Sequence, residues 1–213
     1  MNVREIWSTP DGERLIAYMA RVSNPANQAI DAPYEKLIGY LMRNKHWSPF
    51  EMVHACLEIE TTRDIARQIL RHRSFSFQEF SQRYAVAEGY EYSEARAQDE
   101  KNRQNSLPIE DTNQQEWWRQ MQERVLKECR FVYERALEHG IAKEVARKLL
   151  PEGLTTSRMY MTGSVRSWLH YIDVRTDPTT QKEHREVAEE CRLVLAKSYP
   201  LLFGDNNAPL SNP

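Results

Sequence analysis

The order of apolar patterns predicts an α/β fold of the α+β kind, in which helices pack around a modest, largely antiparallel sheet in a single domain. Three observations carry this. Val53, Ala55, Leu57 and Ile59 alternate with His54, Cys56, Glu58 and Glu60, the period of a half-buried strand. Trp118, Met121, Val125, Cys129, Val132 and Ala136 recur at helical spacing. β-branched Thr155 and Thr156 sit between two further helical stretches and mark a second strand. A pure helical bundle is the alternative architecture.

From the N-terminus, Leu15, Ile16, Met19 and Val22 define one amphipathic helix and Leu37, Ile38, Leu41 and Met42 a second, around a polar turn at Ser23 to Pro25. After the strand, Thr61-Thr62-Arg63-Asp64 resembles a capping box, and Ile65, Ala66, Ile69 and Leu70 give a short helix an apolar face to about His72. Residues 74–84 mix hydroxyls, an amide, a carboxylate and aromatics without a helical stripe and are expected to form a loop. Residues 88–112 are polar and aperiodic, a long surface excursion or lid. The longest helix is expected from Asn113 to a stop at Gly140. Further helices are expected at 142–150, ended by Pro151, at about 164–174, and at 180–198, ended by Pro200. Residues 1–203 form the expected domain and 204–213 a loose tail.

With 29 basic against 31 acidic residues among 213, the chain has no overall positive field to hold a nucleic acid or an anionic membrane, so any anion must meet a local cluster. Cys56, Cys129 and Cys191 are odd in number, far apart and without a C-x-x-C pair, which argues against a disulfide framework or a structural metal site and fits a reducing cytoplasm. The first residues carry charges where a signal peptide needs an apolar stretch, and no run approaches the roughly 18 apolar residues of a membrane span.

One cluster is available. Arg63, Arg67 and Arg71 lie four residues apart on one helix face, with Arg73 and Arg83 just beyond. Such arginines can simply complement the helix dipole and pair with acidic neighbours. The segment Ser74 to Tyr84 that follows, however, adds hydroxyl donors and ring faces to the guanidinium forks, which are the groups a phosphate and a planar heterocycle require.

Arg71-His72-Arg73, then seven residues, then Ser81 resembles the R-H-R-x7-S motif of the flavin-dependent thymidylate synthases. The likeness extends through His46-Trp47-Ser48-Pro49-Phe50-Glu51, Ala66-Arg67-Gln68 and Glu79-Phe80-Ser81-Gln82-Arg83-Tyr84. Downstream, Glu144-Val145-Ala146-Arg147, Leu150-Pro151, Arg166-Ser167 and Val174-Arg175-Thr176-Asp177 follow in family order, so that it spans roughly residues 13–200.

This resemblance implies that dUMP is held by Gln68, Arg71, Glu79, Phe80, Ser81, Gln82, Arg83, Arg147 and Arg175. A nucleotide monophosphate, close to a dianion, suits the forks of Arg83 and Arg147 and the Ser81 hydroxyl. Arg175 matches the arginine that favours ionisation of the uracil ring; its plain alternative is a salt bridge with Asp173 or Asp177. The resemblance likewise implies FAD contacts from Ser48, Arg71, His72, Arg73, Glu79, Ser164, Val165, Arg166 and His170, the last standing where some relatives carry an amide. Gly163-Ser164 before a helix can offer amides to a pyrophosphate or simply cap the helix. No G-x-G-x-x-G is present, so flavin would be held outside a Rossmann fold. His46 matches a histidine near flavin and folate and, with Arg175, completes the implied catalytic set.

The implied reaction is reductive methylation of dUMP, with 5,10-methylenetetrahydrofolate as one-carbon donor, NADPH as reductant of FAD, and no cysteine nucleophile. Cys129 and Cys191 lie in apolar helical stripes, and Ser81 has no evident activating pair and is assigned to binding. The family implies a homotetramer with shared active sites. Two other readings stay open: a flavin- and folate-dependent pyrimidine nucleotide hydroxymethylase, and a non-catalytic nucleotide- or RNA-binding protein whose affinity would fall steeply with salt.

Overall fold

The computed structural model describes residues 1–87 and 89–204, so the expected tail lies, apart from Gly204, outside the described residues. In chain order the elements are β1 (Asn2–Ser8), α1 (Gly12–Ala20), α2 (Glu35–Arg43), β2 (His54–Thr62), α3 (Arg63–Ile69), β3 (Ser76–Glu79), β4 (Arg96–Gln98), β5 (Ser106–Pro108), α4 (Thr112–Glu138), α5 (Lys143–Ala146), β6 (Thr156–Ser164), α6 (Val165–Arg175), α7 (Lys182–Ser198) and α8 (Pro200–Phe203). Short 3-10 turns cover Pro25–Asn27, Ser48–Met52 and Arg147–Leu149. The main sheet is antiparallel in the order β1-β2-β6-β3, and β4 pairs with β5 separately.

β2 and β6 are the central strands, paired from His54↔Ser164 to Thr62↔Thr156. The inward face of β2 is as expected, with Ala55, Leu57 and Ile59 fully buried. Its other face is not half open, because Cys56 and Glu58 are buried as well. Arg4 from β1 lies across that face, donating through Nε and Nη2 to the two Glu58 carboxylate oxygens at 2.6 and 3.0 Å. Against the inward face pack α3, α6 and α7, whose Ile65, Ile69, Trp168, Tyr171, Val187 and Leu195 form one core with Met159 and Met161. The Trp168 indole N–H donates to the Ala55 carbonyl at 3.2 Å, which satisfies the buried ring's donor.

Two strands of the main sheet went unseen in the sequence, and both are its edges. β1 has only Val3 buried, and β3 alternates between exposed and half-buried residues, so backbone pairing rather than an apolar period fixes them. The segment expected as a loop at 74–84 therefore contains β3. The expected excursion at 88–112 likewise contains regular structure, the β4-β5 hairpin over 96–108, whose turn is tied by Asp99 accepting from the Lys101 and Asn102 amides at 2.8 and 3.1 Å. Gln115 of α4 clamps the hairpin, exchanging bonds with the Ala95 backbone at 2.8 and 2.9 Å.

The helices start and stop close to their expected places. α3 begins at Arg63, but its N-cap Thr62 makes no side-chain capping bond, and the helix ends at Ile69 instead of His72. Gly140 closes α4 with φ 75°, the left-handed conformation that glycine adopts without strain. The buried line on α4 is Gln122, Leu126 and Tyr133, which leaves Val125 exposed and Cys129 only half-buried. No helix among the described residues is long and apolar enough to cross a membrane.

Candidate functional site

The turn after α3 is built by one aromatic. Phe75 is buried with its ring centroid 4.8 Å from that of Trp168, and its ring lies directly over Gly163, where a Cβ would fall 2.5 Å from a ring carbon. The Phe75 amide donates to the His72 carbonyl at 3.3 Å. Residue 75 is thereby fixed to the end of β6, and the turn leaves Arg71 and Arg73 exposed and His72 half-buried. Neither arginine forms an ion pair among the described residues. On the same helix, Arg67 is paired with Glu152 at 3.0 Å, and buried Arg63 lies 3.5 Å from Glu79.

Arg71 opens onto a cleft of about 980 Å³ that it lines with Gln68, Asp173, Arg175 and Gln181. The Arg175 Nε donates to His72 Nε2 at 2.8 Å, not to Asp173 or Asp177. His72 must therefore be neutral at Nε2. Burial, with the nearby charges of Arg175, His170 and Arg71, pushes its pKa down to about 4, consistent with that form. On the other wall, Gln68 Nε2 donates to Gln181 Oε1 at 2.7 Å.

A second pocket, about 470 Å³, shares the wall residue Asp173 with the first. Its walls include Lys45, Trp47, Glu51, Ser74, Arg166 and His170. Glu51 organises this side: its carboxylate accepts from Arg166 Nη1 at 2.6 Å and from the Ser164 hydroxyl at 2.5 Å, and these bonds hold it below the usual carboxylate range. A different cavity of about 420 Å³, between α4 and the N-terminus of α7, is lined by Asp64, Glu91, Glu183 and Glu186, with Arg96 already paired to Glu183 at 2.7 Å, and by none of the expected site residues. An anion needs cationic partners, so the arginine cleft is the candidate site.

Residues 6–201 match the family model described as thymidylate synthase complementing protein. The chain belongs to this family. It is 55% identical over 192 residues to the flavin-dependent thymidylate synthase of Synechocystis sp., covering 90% of this chain and 87% of that one. Among solved structures it is similar to the UMP/dUMP methylase PolB of Streptomyces cacaoi bound with 5-Br dUMP, at a TM-score of 0.86 and 27% identity, with 100% of this chain and 97% of that chain covered. The same methylase bound with 5-Br UMP gives a TM-score of 0.81, covering 95% of this chain and 91% of that one, again at 27% identity.

Within this family framework the expected nucleotide residues separate into two groups. Gln68, Arg71 and Arg175 share the 980 Å³ cleft, whereas Glu79, Phe80, Ser81, Gln82, Arg83 and Arg147 do not line it. Glu79 accepts from the Ser157 hydroxyl at 2.7 Å, and the Phe80 amide donates to the Arg158 carbonyl at 2.8 Å. Arg83 lies 3.3 Å from Glu144, and its amide donates to the Ser81 hydroxyl oxygen at 3.3 Å. Gln82 is buried, with Nε2 unpartnered among the described residues. Arg147 forms no ion pair among them.

Of the expected flavin residues, Arg166 and His170 line the 470 Å³ pocket, Arg71 lines the cleft, and Ser48 and Arg73 are exposed. Two do not fit as side-chain contacts. The Val165 side chain is fully buried in the core and its N–H is spent on the Val53 carbonyl at 2.7 Å. Ser164 is buried and caps α6 by accepting from the Ser167 amide, the plain reading of Gly163-Ser164. His46 is exposed between Lys45 and Trp47, with its ring edge on Tyr40 at 5.7 Å. Gln181 and His184 were not singled out by the sequence, and Glu51 appeared only as the end of the His46–Glu51 segment, with no role assigned. A glutamine before a helix and a lone histidine inside one carry no distinguishing local pattern.

Proposed function

We propose that this chain is a flavin-dependent thymidylate synthase that methylates dUMP to dTMP, using FAD, 5,10-methylenetetrahydrofolate as one-carbon donor and NADPH as reductant. The observation that carries the reading is a pair of pockets with Asp173 as a common wall residue, one walled by Gln68, Arg71 and Arg175, the other by Trp47, Arg166 and His170. The family membership and the 55% identical flavin-dependent relative support it.

The donor sets suit their ligands. Arg71, free of carboxylate partners among the described residues, can neutralise a phosphate. Arg175 is held by His72 through Nε, which leaves its Nη groups for the pyrimidine; a cation that keeps its proton favours ionisation of the ring and raises electron density at its reacting carbon. Lys45, Trp47, Arg166 and His170 combine cations with a ring face, which fits a flavin dinucleotide. When bound, the flavin supplies the reducing equivalents that turn the transferred one-carbon unit into a methyl group. His46, next to this pocket, orients folate or carries a proton.

Two of the three thiols, Cys56 and Cys191, are unsuited to covalent catalysis. Burial pushes Cys191 far above the usual thiol range and raises Cys56, so neither is a ready thiolate. The separation of Arg83 and Arg147 from the cleft supports a homotetramer in which residues 79–83 and 147 of one subunit complete the cleft of another. Exposed Trp117 and Phe131, four helical turns apart on one face of α4, supply apolar surface for such contacts. We read the cytoplasm as the place of work.

The test is an absorbance spectrum of the purified protein, then anaerobic NADPH with dUMP and methylenetetrahydrofolate, and chromatography of the nucleotide product. Flavin that bleaches and yields dTMP is expected. A hydroxymethylated product would replace this reading with the hydroxymethylase, and a protein that takes up no flavin on reconstitution would overturn it.

A further inference from the structure

Gln68 is braced from behind by hydrogen bonds that begin in the core. Tyr171 is fully buried, and its hydroxyl lies 3.2 Å from His184 Nε2. His184, also fully buried, places Nδ1 3.3 Å from Gln68 Oε1. Gln68 Nε2 donates to Gln181 Oε1, and Gln181 Nε2 donates to Glu183 Oε2 at 3.1 Å.

The buried end sets the polarity of this chain. A buried phenol left without an acceptor is costly, and His184 Nε2 is the acceptor that Tyr171 finds among the described residues. Nε2 therefore carries no proton, and in the neutral imidazole the proton is on Nδ1. Burial, Arg175 and His72 keep the ring neutral by lowering its pKa to about 3. Nδ1–H then donates to Gln68 Oε1, which turns the carbonyl of Gln68 inward and its amide outward. One amide N–H is taken by Gln181, and the other is left for a ligand in the cleft.

We propose that His184 is a positioning residue, which through Nδ1–H sets the amide of Gln68 so that the nucleotide meets an N–H donor there and must offer an acceptor oxygen. Tyr171 acts one step further back, by fixing the His184 tautomer. The inference rests on the reading of the 980 Å³ cleft as the nucleotide site.

The experiment is a calorimetric titration of the flavin-loaded protein with dUMP, together with steady-state kinetics, for His184→Leu, Gln68→Ala, the double variant and His184→Asn. His184→Leu is expected to weaken dUMP binding roughly tenfold, the loss of one oriented hydrogen bond, while kcat at saturating dUMP changes by less than about twofold. In the Gln68→Ala background the same change should add nothing, because the two residues act as a unit. His184→Asn, whose amide N–H can replace Nδ1–H, should recover most of the affinity. Equal weakening by His184→Leu with and without Gln68, or none while Gln68→Ala weakens binding, overturns the proposal. Wild-type dUMP affinity in Gln68→Ala would instead remove the nucleotide reading of the cleft, and the proposal with it. If His184→Leu fails to fold because the Tyr171 hydroxyl is orphaned, His184→Leu/Tyr171→Phe removes that hydroxyl and is measured in its place.

Discussion

The Arg175 guanidinium is anchored through Nε by His72 and therefore enters the cleft already oriented. Lysine at this position keeps the charge but loses the planar fork and the His72 bond. Arg175→Lys is expected to lower kcat/KM for dUMP by about 10- to 100-fold, measured by steady-state kinetics at fixed folate and NADPH. A second single-residue prediction concerns stability. Glu13 is buried, with Oε1 accepting the Leu201 and Leu202 amides at 2.7 and 3.2 Å, and burial outweighs those donors to raise its pKa from 4.5 to about 7. Between these values the folded chain holds a proton that the unfolded chain has lost. The contribution is thus full below 4.5 and is lost as pH rises through about 7. Glu13→Gln keeps the acceptor oxygen without the titration, so melts should show wild type losing on the order of 2 kcal/mol relative to the variant between about pH 5 and pH 8. Individual residues were legible unevenly. Arg71 and Arg175 carry a motif, whereas Glu13, Glu51 and His184 matter through partners on other elements.

Elements with a long apolar period, such as β2, α1, α2, α6 and α7, were readable because one face of each meets the core. β1, β3 and the β4-β5 hairpin were not, since their order comes from backbone pairing and from polar clamps such as Gln115. The same reasoning makes Gly163 the critical small residue of the site's scaffold. Gly163→Ala would drive a methyl into the Phe75 ring, which is packed on Trp168 and cannot swing away freely. The variant should lose about 1–3 kcal/mol in denaturant titration and release flavin more readily than wild type, because the turn carrying Arg71 to Arg73 hangs on Phe75. Retained stability with wild-type flavin affinity would show that the turn has another anchor.

At the scale of the whole molecule, the residues expected to hold the nucleotide do not meet in one cavity of a single chain. If sites are shared between subunits, an Arg83→Ala chain and an Arg175→Ala chain, each nearly inactive alone, should regain activity when mixed under exchange conditions. No recovery, with mixed assemblies verified by native mass spectrometry, would place each site within one subunit. Trp117→Glu with Phe131→Glu should lower the sedimenting mass, since two charges on the exposed face of α4 oppose apolar contact. The sequence by itself determined the α+β class, the main helices, the central strand and the R-H-R motif, because these are written in local periodicity and in residue identity along a short segment. Only the tertiary structure decided that His72 binds Arg175, that Ser164 and Val165 serve scaffold and core, and that Tyr171, His184 and Gln68 come within hydrogen-bond distance in one chain. Each of those facts joins residues far apart in sequence, and the direction of a hydrogen bond between them depends on burial and on which acceptors the fold brings within reach.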